Sequence, residues 1–419
     1  MAGRRGTSAR ATTTSQTQLI EFAAQQDFRF RQQNASAESA QTGQGGERYY
    51  TTSRQFAERA LAANPAQFRI LKTDKRLKCL ARDRWAGTNY RGRRVLFLLP
   101  SAALGNNVCT ALFLQAFAER HEPRALGVFC AQSAADIYLS ADVAEVFTLW
   151  LPRRALSRWD MVIDLGHLES RRNIEFWPVD MEADLLTAFD LAPSAHFGGD
   201  ARPLPDKDRL RIGLLPLASS PLRTLPVAAT AALIEALAPA DDIVLCLNRF
   251  QHQGVLYRQA LQERLPSEVE VIDAFESIGA LLTAIDGFDY AVFADSGPAH
   301  MAKLFATPGV AVYTSAPGEV LQGRFRNLAN WTVPFEGPHC RAPCGLAKIR
   351  QTADGRVGCM GSLGCVVDDL PTTPTRQAPA AVERLLLQEP VPCVAALAKA
   401  PDDLVRFVQA DLATRREQA

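Results

Sequence analysis

A short turn between two apolar runs carries the residues of this chain that are best suited to bind a phosphate. The run Ala291–Ala294 ends at Asp295, the chain turns at Ser296 and Gly297, and apolar residues then recur at helical spacing around His300. Backbone N–H groups at a helix N-terminus stabilise an anion. We predict that Ser296 and Gly297 bind the phosphates of a nucleotide, while Asp295 and His300 hold the sugar or the loop. In the alternative, Asp295 only caps the helix and His300 only packs.

Four cysteines form a second group that could do chemistry. They lie in a stretch rich in glycine and proline with spacings of X3 and X5: Cys340, Cys344, Cys359 and Cys365. Four thiolates on two short loops, separated by a hairpin, suit a tetrahedral site for zinc or iron, so we predict a structural metal. The alternative is a set of reduced cysteines, and His339 is a substitute ligand. The remaining cysteines stand alone, and those in apolar segments are predicted to be small core residues.

Two series of short strands and helices must position these groups. Apolar runs at Val95–Leu99 and Leu210–Leu215 each open an alternation of buried strands and amphipathic helices, beginning with a helix over Val108–Arg120. This pattern predicts an α/β protein with two Rossmann-like domains, residues 93–205 and 206–375.

Further segments lie outside this repeated pattern. Residues 1–92 form a predicted N-terminal extension, residues 339–365 a cysteine-rich insertion, and residues 376–419 the C-terminal helices. We expect the last helix, Pro401–Gln418, to cross back to the first domain.

The sequence DSGPAHMA from Asp295, followed by TPGVAVYT, resembles the donor-site signature of glycosyltransferase family 9, the ADP-heptose heptosyltransferases. The resemblance implies the GT-B architecture, in which two Rossmann-like domains face a cleft, and a nucleotide-sugar donor such as ADP-heptose. The loop after Leu210–Leu215 is also similar to that of the family, which commonly has a lysine where this chain has Arg223 beside Ser219. An arginine retains the ability to bind phosphate. Arg223 is therefore expected to face the turn at Ser296 across the groove between the domains.

The same resemblance bears on the cysteines. Some members of the family carry a Cys-X-Pro-Cys loop, and the autotransporter heptosyltransferases have an iron-binding finger of four cysteines. This similarity favours iron or zinc at the four predicted ligands.

The catalytic base is where the chain departs from the family. The family reads Leu-Gly-Asp in its first loop, and this chain reads Leu104-Gly105-Asn106. An amide cannot accept a proton near neutral pH, so the usual base is missing. Asp164, at the end of a predicted strand, is the candidate replacement, with His167 and Glu169 in the loop beyond it. The alternative is that Asp164 caps a helix or bonds its own loop.

Composition limits the class of protein. The chain has 419 residues, of which 47% are hydrophobic and 22% charged, enough for two cores. It lacks an apolar run of eighteen residues and an apolar leader, so we expect a cytoplasmic protein with no integral membrane segment. Residues 1–46 have few large apolar groups and are expected to be partly disordered, with a helix over Leu19–Phe30.

Charge is distributed unevenly along the chain. Residues 1–94 hold 18 Lys and Arg against 7 Asp and Glu, whereas the remainder holds 28 against 38. A basic arm of this kind can meet an anionic surface, or it can be a solvated extension.

Together these features favour an inverting glycosyltransferase that acts on a lipopolysaccharide core or on a protein such as an autotransporter, without a nucleic-acid partner and as a possible homo-oligomer. The alternative is a non-catalytic binding or scaffold protein with the same fold, which Asn106 favours. A nucleotide-sugar epimerase would require an acid/base pair in the cleft that the sequence does not show.

Overall fold

The computed structural model describes residues 16–30, 41–141, 145–166, 180–371 and 379–418. The β-strands are, in chain order, β1 (Leu19–Ala24), β2 (Phe28–Phe30), β3 (Gln41–Gly43), β4 (Arg48–Thr51), β5 (Phe68–Lys75), β6 (Arg94–Leu99), β7 (Ala125–Cys130), β8 (Glu145–Phe147), β9 (Leu151–Pro152), β10 (Met161–Asp164), β11 (Arg211–Leu215), β12 (Asp242–Cys246), β13 (Glu270–Ile272), β14 (Tyr290–Ala294), β15 (Gly309–Tyr313), β16 (Leu328–Thr332), β17 (Arg350–Gln351) and β18 (Val357–Gly358). The α-helices are α1 (Arg54–Phe56), α2 (Leu104–His121), α3 (Ala135–Ser140), α4 (Arg153–Leu156), α5 (Met181–Phe189), α6 (Val227–Leu237), α7 (His252–Leu261), α8 (Ile278–Gly287), α9 (Gly297–Phe305), α10 (Gly318–Gln322), α11 (Met360–Leu363), α12 (Pro379–Glu383), α13 (Pro392–Lys399) and α14 (Asp402–Glu417).

Two parallel sheets carry most of these elements. The first has the strand order β10-β6-β7-β8, and the second has the order β13-β12-β11-β14-β15-β16. In each sheet the chain begins in the middle, builds toward one edge, and then crosses to the other side of its first strand. The order therefore reverses between β6 and β10 in the first sheet and between β11 and β14 in the second. Open α/β sheets bind their ligands outside the carboxyl ends of the strands at such points of reversal.

The strands β6, β11 and β14 form where the sequence predicts them. Every residue of β14 is buried, and so is nearly every residue of β6, as continuous apolar runs in a parallel sheet require. The helix predicted over Val108–Arg120 is α2. The predicted α/β class with two Rossmann-like halves is confirmed. The exact domain boundaries and the insertion over residues 339–365 stay predictions.

The N-terminal extension differs most from what the sequence predicts. The expected helix over Leu19–Phe30 is wrong, because β1 and β2 are strands, and β1 lies in an antiparallel sheet of order β5-β1-β4-β9. We call this sheet the antiparallel module. Its core is filled mostly by aromatic side chains, which are Phe22, Phe28, Tyr49, Phe56, Phe68 and Trp150. Residues 16–30 form strands because β4 and β5, which lie further along the chain, supply the apolar surface that these residues lack locally. Residues 1–15 and 31–40 lie outside the described residues.

A buried ionic cluster joins the two halves of the molecule. Arg324, which follows α10, donates to Oε1 of Glu182 on α5 at 3.1 and 3.0 Å. Nearby on α9, Lys303 donates to the carbonyl oxygen of Leu321 at 2.6 Å. Burial raises the pKa of Glu182, although the guanidinium of Arg324 opposes this, and burial lowers the pKa of Lys303. Removing either Arg324 or Glu182 would leave the charge of the other one buried without compensation. The pair therefore stabilises the packing of α5 against the second half of the molecule.

The last helix also differs from its prediction. Leu404, Val408 and Leu412 of α14 are buried in the core of the second sheet, and the helix packs on α6, β15 and β16. It therefore covers the second half of the molecule and does not cross back to the first. Within the described part of the chain, no helix is both long enough and apolar enough to cross a membrane.

Candidate functional site

The turn predicted to bind phosphate lies at the point of reversal of the second sheet. Asp295 follows the carboxyl end of β14 and is only 2% exposed, and Ser296 then precedes the first residue of α9. Ser296 has extended backbone angles, φ −152° and ψ 175°, and its side chain makes no capping hydrogen bond. The first N–H groups of a helix have no intrahelical acceptor. The N-terminus of α9 therefore presents these N–H groups next to the Ser296 hydroxyl, which does not cap the helix, and an anion can bind there.

Arg223 reaches the same spot from the neighbouring strand. It lies in the loop between β11 and α6, and its Nη1 donates to the backbone oxygen of Asp295 at 3.2 Å and to Oδ1 at 3.4 Å. Its Nη2 donates to Oγ of Ser219 at 2.9 Å. The expectation that Arg223 faces the turn across the interdomain groove is wrong. Both groups belong to the second sheet, because β11 and β14 pair directly.

Three buried polar atoms at this spot have no hydrogen-bond partner among the described residues: Nε of Arg223, Oδ2 of Asp295 and Oγ of Ser296. Burial raises the pKa of Asp295, and the Arg223 guanidinium opposes this. An unsatisfied buried polar group costs about 1–3 kcal/mol, so three of them together indicate a site built for a polar ligand. The donors and acceptors present suit a phosphate next to a hydroxylated sugar.

Sequence reasoning missed a fourth residue at this sheet edge. Ser315 lies two residues after β15, is 0% exposed, and its Oγ has no partner among the described residues. Just before it, Thr314 donates its hydroxyl to the carbonyl oxygen of Leu222 at 2.7 Å, in the same loop that carries Arg223. The position of Ser315 in the sequence was the signal that could have identified it. A serine just beyond a buried strand belongs to the carboxyl edge if that strand is parallel to its neighbour.

Replacing Ser296 by alanine is expected to weaken ADP binding about 5- to 10-fold without lowering the melting temperature, since one hydrogen bond to a ligand contributes roughly 1 kcal/mol and the hydroxyl does not cap the helix. Isothermal titration calorimetry and thermal unfolding measure the two effects. The matched control is Ser277→Ala, whose Oγ does cap α8 by accepting from the Ala280 N–H at 3.0 Å. This control should lose about 1 kcal/mol of stability and retain ADP affinity. A lower melting temperature of Ser296→Ala with unchanged ADP affinity would show that Ser296 stabilises the fold and does not bind the ligand.

The first domain approaches the turn through the N-terminus of α2. A Cβ atom added to Gly297 would lie 2.8 Å from Cβ of Leu104, and one added to Gly105 would lie 2.7 Å from Cδ2 of His300. The first turns of α2 and α9 are therefore in direct contact, and glycine on each side permits the approach. Asn106 sits in this first turn of α2 and donates from Nδ2 to Oγ of Ser101 at 3.3 Å.

The change Gly297→Ala should push these two helix ends apart. Its Cβ would contact the Cβ of Leu104, which cannot rotate away, so we expect about 1–3 kcal/mol less stability and weaker ADP binding. Urea unfolding and calorimetry measure these effects. Gly287→Ala is the control, because nothing lies within 4 Å of the added atom. The double variant Gly297→Ala/Leu104→Gly removes the clash and should recover ADP affinity. Wild-type behaviour of Gly297→Ala would contradict the close contact.

Asp164 lies at the point of reversal of the first sheet, at the carboxyl end of β10. Its Oδ2 accepts from the Thr17 N–H at 2.6 Å, and its Oδ1 accepts from the Thr17 hydroxyl at 2.7 Å and the Gly166 N–H at 2.9 Å. A threonine hydroxyl therefore already sits against this carboxylate. Asp164 and the loop of Asn106 share one sheet edge, because β10 pairs with β6. His167 and Glu169, the other candidates, lie outside the described residues.

The four predicted metal ligands occupy two loops that pack together. Cys340 and Cys344 follow β16, whereas Cys359 precedes α11 and Cys365 follows it, and the predicted hairpin between them is β17–β18. A Cβ atom on Gly361 of α11 would lie 3.2 Å from Sγ of Cys340. Within the described part of the chain, however, no group of three or more His, Cys, Asp or Glu side chains is arranged to hold a metal ion. As placed, the donor set does not fit iron or zinc, and the predicted metal site is not confirmed.

A fifth cysteine belongs to this region. Cys393, which has no neighbouring cysteine in the sequence, is a buried core residue as predicted. Burial raises the pKa of its thiol, and the nearby Cys359, Cys344 and Cys340 raise it further. Burial likewise raises the pKa of Cys344 to about 11. The cluster is therefore a set of thiols packed against the second sheet, together with the core residues around α13.

No family model matches the chain, and no curated protein matches it. Among solved structures, it is similar to a glycosyl transferase family 9 protein from Veillonella parvula, with 14% identity over 58% of this chain and 87% of that chain and a TM-score of 0.45.

Two further structures illustrate the same likeness. The E. coli ADP-heptose lipopolysaccharide heptosyltransferase II has 16% identity over 57% of this chain and 90% of its own, with a TM-score of 0.43. The iron-containing dodecameric glycosyltransferase TibC from enterotoxigenic E. coli has 11% identity over 77% and 78%, with a TM-score of 0.42. Similarity at this level does not assign an activity to the chain.

Proposed function

We propose that this protein is a glycosyltransferase that transfers a sugar from a nucleotide diphosphate donor to an acceptor hydroxyl. The observation that carries the proposal is the group of unpartnered buried atoms on Arg223, Asp295 and Ser296 at the N-terminus of α9. This group lies where a Rossmann-like sheet binds its ligand, and the Arg223 guanidinium and the N-terminus of α9 supply the positive charge that a pyrophosphate requires. Because its sequence resembles the heptosyltransferase signature, we propose ADP-heptose as the donor. A lipopolysaccharide core or a protein is the proposed acceptor.

The chemistry proposed is a single displacement with inversion. Asp164 accepts the proton of the acceptor hydroxyl as its oxygen attacks the anomeric carbon, and the bond from that carbon to the diphosphate oxygen breaks. The nucleoside diphosphate leaves with the bonding electrons. Its developing charge is stabilised by the Arg223 guanidinium and by the N-terminal end of α9. Asp295 positions Arg223 through its backbone and carboxylate oxygens.

A second candidate function rests on Asn106. Its amide, which cannot act as a base, stands in the first turn of α2 facing α9. A protein that binds a nucleotide sugar without transferring it would have the same donor pocket and no working base.

The change Asp295→Ala distinguishes the two functions. We expect wild-type protein to release ADP from ADP-heptose when acceptor is present, and Asp295→Ala to lose this activity because Arg223 loses its positioning contact. A coupled ADP-release assay measures turnover, and calorimetry measures ADP affinity. Asp208→Ala, at an exposed position, is the control. ADP binding by wild type without turnover on any nucleotide sugar would support the binding protein. Absence of binding to ADP, UDP and GDP alike would overturn both.

A further inference from the structure

The antiparallel module ends in a strand with one open edge. β5 pairs with β1 only, and among the described residues no strand pairs with its other side. Five of its eight residues are exposed. An edge strand of this length presents a row of N–H and C=O groups to which another extended chain can add.

This edge is strongly basic. Residues 69–84 contain seven Lys and Arg but only two Asp, and six of the seven basic residues are exposed. In the described part of the chain, the one ion pair within this stretch joins Lys72 to Asp74 at 3.8 Å, with both side chains more than half exposed. Such a pair neutralises little charge. The edge therefore attracts an acidic partner and repels a second copy of itself.

The strand also leads directly to the candidate transfer site. Lys75 at its end pairs with Leu19, two residues after the Thr17 that bonds Asp164. The chain then reaches β10, where the Leu80 N–H donates to the carbonyl oxygen of Val162 at 2.8 Å. Arg76 and Lys78 lie in the short segment between these two contacts. A shared core that includes Leu77 and Leu98 fixes the module on the first sheet.

We propose that β5 is a docking edge for an extended acidic segment of a protein acceptor, which adds to the sheet as a further strand and continues toward Asp164. The backbone of β5 supplies directional hydrogen bonds, and its basic side chains select the partner. An anionic lipid surface would use the charge but not the backbone groups, and Ile70, at 37% exposed, is the only large apolar side chain exposed on the strand. The role as acceptor rests on the proposed function, whereas the docking does not.

Binding of labelled peptides to the full chain, measured by fluorescence anisotropy without a donor, tests this proposal. The probe is a twelve-residue peptide of alternating glutamate and threonine. The charge reversal Arg69→Glu/Lys72→Glu should weaken its binding at least about ten-fold, because two attractive contacts become repulsive. The control Arg264→Glu/Lys399→Glu reverses two exposed charges elsewhere on the second half and should leave binding unchanged.

Two methylated probes separate strand addition from simple charge attraction. One carries N-methyl groups at its odd residues and the other at its even residues, so one of them blocks the N–H groups that face β5. Loss of binding by one peptide supports the proposal, while equal binding by both methylated peptides and the parent would overturn it. Binding to phosphatidylglycerol vesicles but not to the peptide would also overturn it, as would self-association through this edge. These assays contain no ADP. Their results therefore do not depend on whether the proposed donor site binds a nucleotide.

Discussion

Replacing Arg223 by glutamine should weaken ADP binding by about 10- to 150-fold, because a hydrogen bond to a charged group contributes roughly 1.5–3 kcal/mol. The Arg223 guanidinium is held by Asp295 and Ser219, so it is oriented before the ligand arrives. Arg223→Lys should retain part of the affinity, since a lysine keeps the charge but lacks the fork that bonds two partners at once. Isothermal titration calorimetry with ADP at constant ionic strength measures both variants.

Loss of Arg223 also leaves a buried carboxylate without its partner, which would lower stability independently of binding. The double variant Arg223→Gln/Asp295→Asn removes both charges and should fold normally while still failing to bind ADP tightly. The control is Arg258→Gln, which breaks an exposed ion pair with Asp273 on the same half of the molecule. If the double variant bound ADP as tightly as wild type, the pyrophosphate site would have to lie elsewhere.

Replacing Asp164 by asparagine should lower kcat by about 10²- to 10⁴-fold, the usual contribution of a general base, with little change in the KM for the donor. The amide keeps the shape of the side chain but cannot accept a proton. Introducing Asn106→Asp into this variant should restore part of the rate, because β6 and β10 are neighbours and the two positions share one sheet edge. Steady-state transfer assays measure all three proteins.

The bonds from Thr17 to Asp164 supply the control for this experiment. Thr17→Val removes the hydroxyl that donates to Oδ1 at 2.7 Å but leaves the carboxylate in place. We expect this variant to retain or increase kcat, since an acceptor hydroxyl can then occupy the same oxygen. A loss of rate equal to that of Asp164→Asn, with no rescue by Asn106→Asp, would show that Asp164 serves only to hold the N-terminal segment.

Local sequence predicted the strands and the turn because the responsible interactions are short in range. A continuous apolar run such as β14 is compatible with a buried parallel strand, and the polar turn that follows it at Asp295 marks its end. The same reasoning failed for Leu19–Ala24. These residues form a strand because Phe22 pairs with Tyr49 and Ile70, which are far away in the sequence.

The grouping of chemical side chains could not be predicted in the same way. Arg223 and Asp295 meet because β11 and β14 are neighbours, although two strands, β12 and β13, lie between them in the chain. Thr17 reaches Asp164 across 147 residues, and Cys393 joins cysteines that precede it by a long segment. None of these contacts leaves a periodic signal in the sequence.

From the order of amino acids alone, the two α/β halves and the turn at Ser296 could be predicted, since burial pattern and turn chemistry are properties of short segments. The significance of Asn106 came only from the resemblance to a family that has aspartate at that position. The strand order placed Arg223 beside the turn and Thr17 beside Asp164, and it made β5 an open edge leading to the first sheet. Strand order depends on which distant surfaces bury one another most completely, and that is a property of the folded chain as a whole.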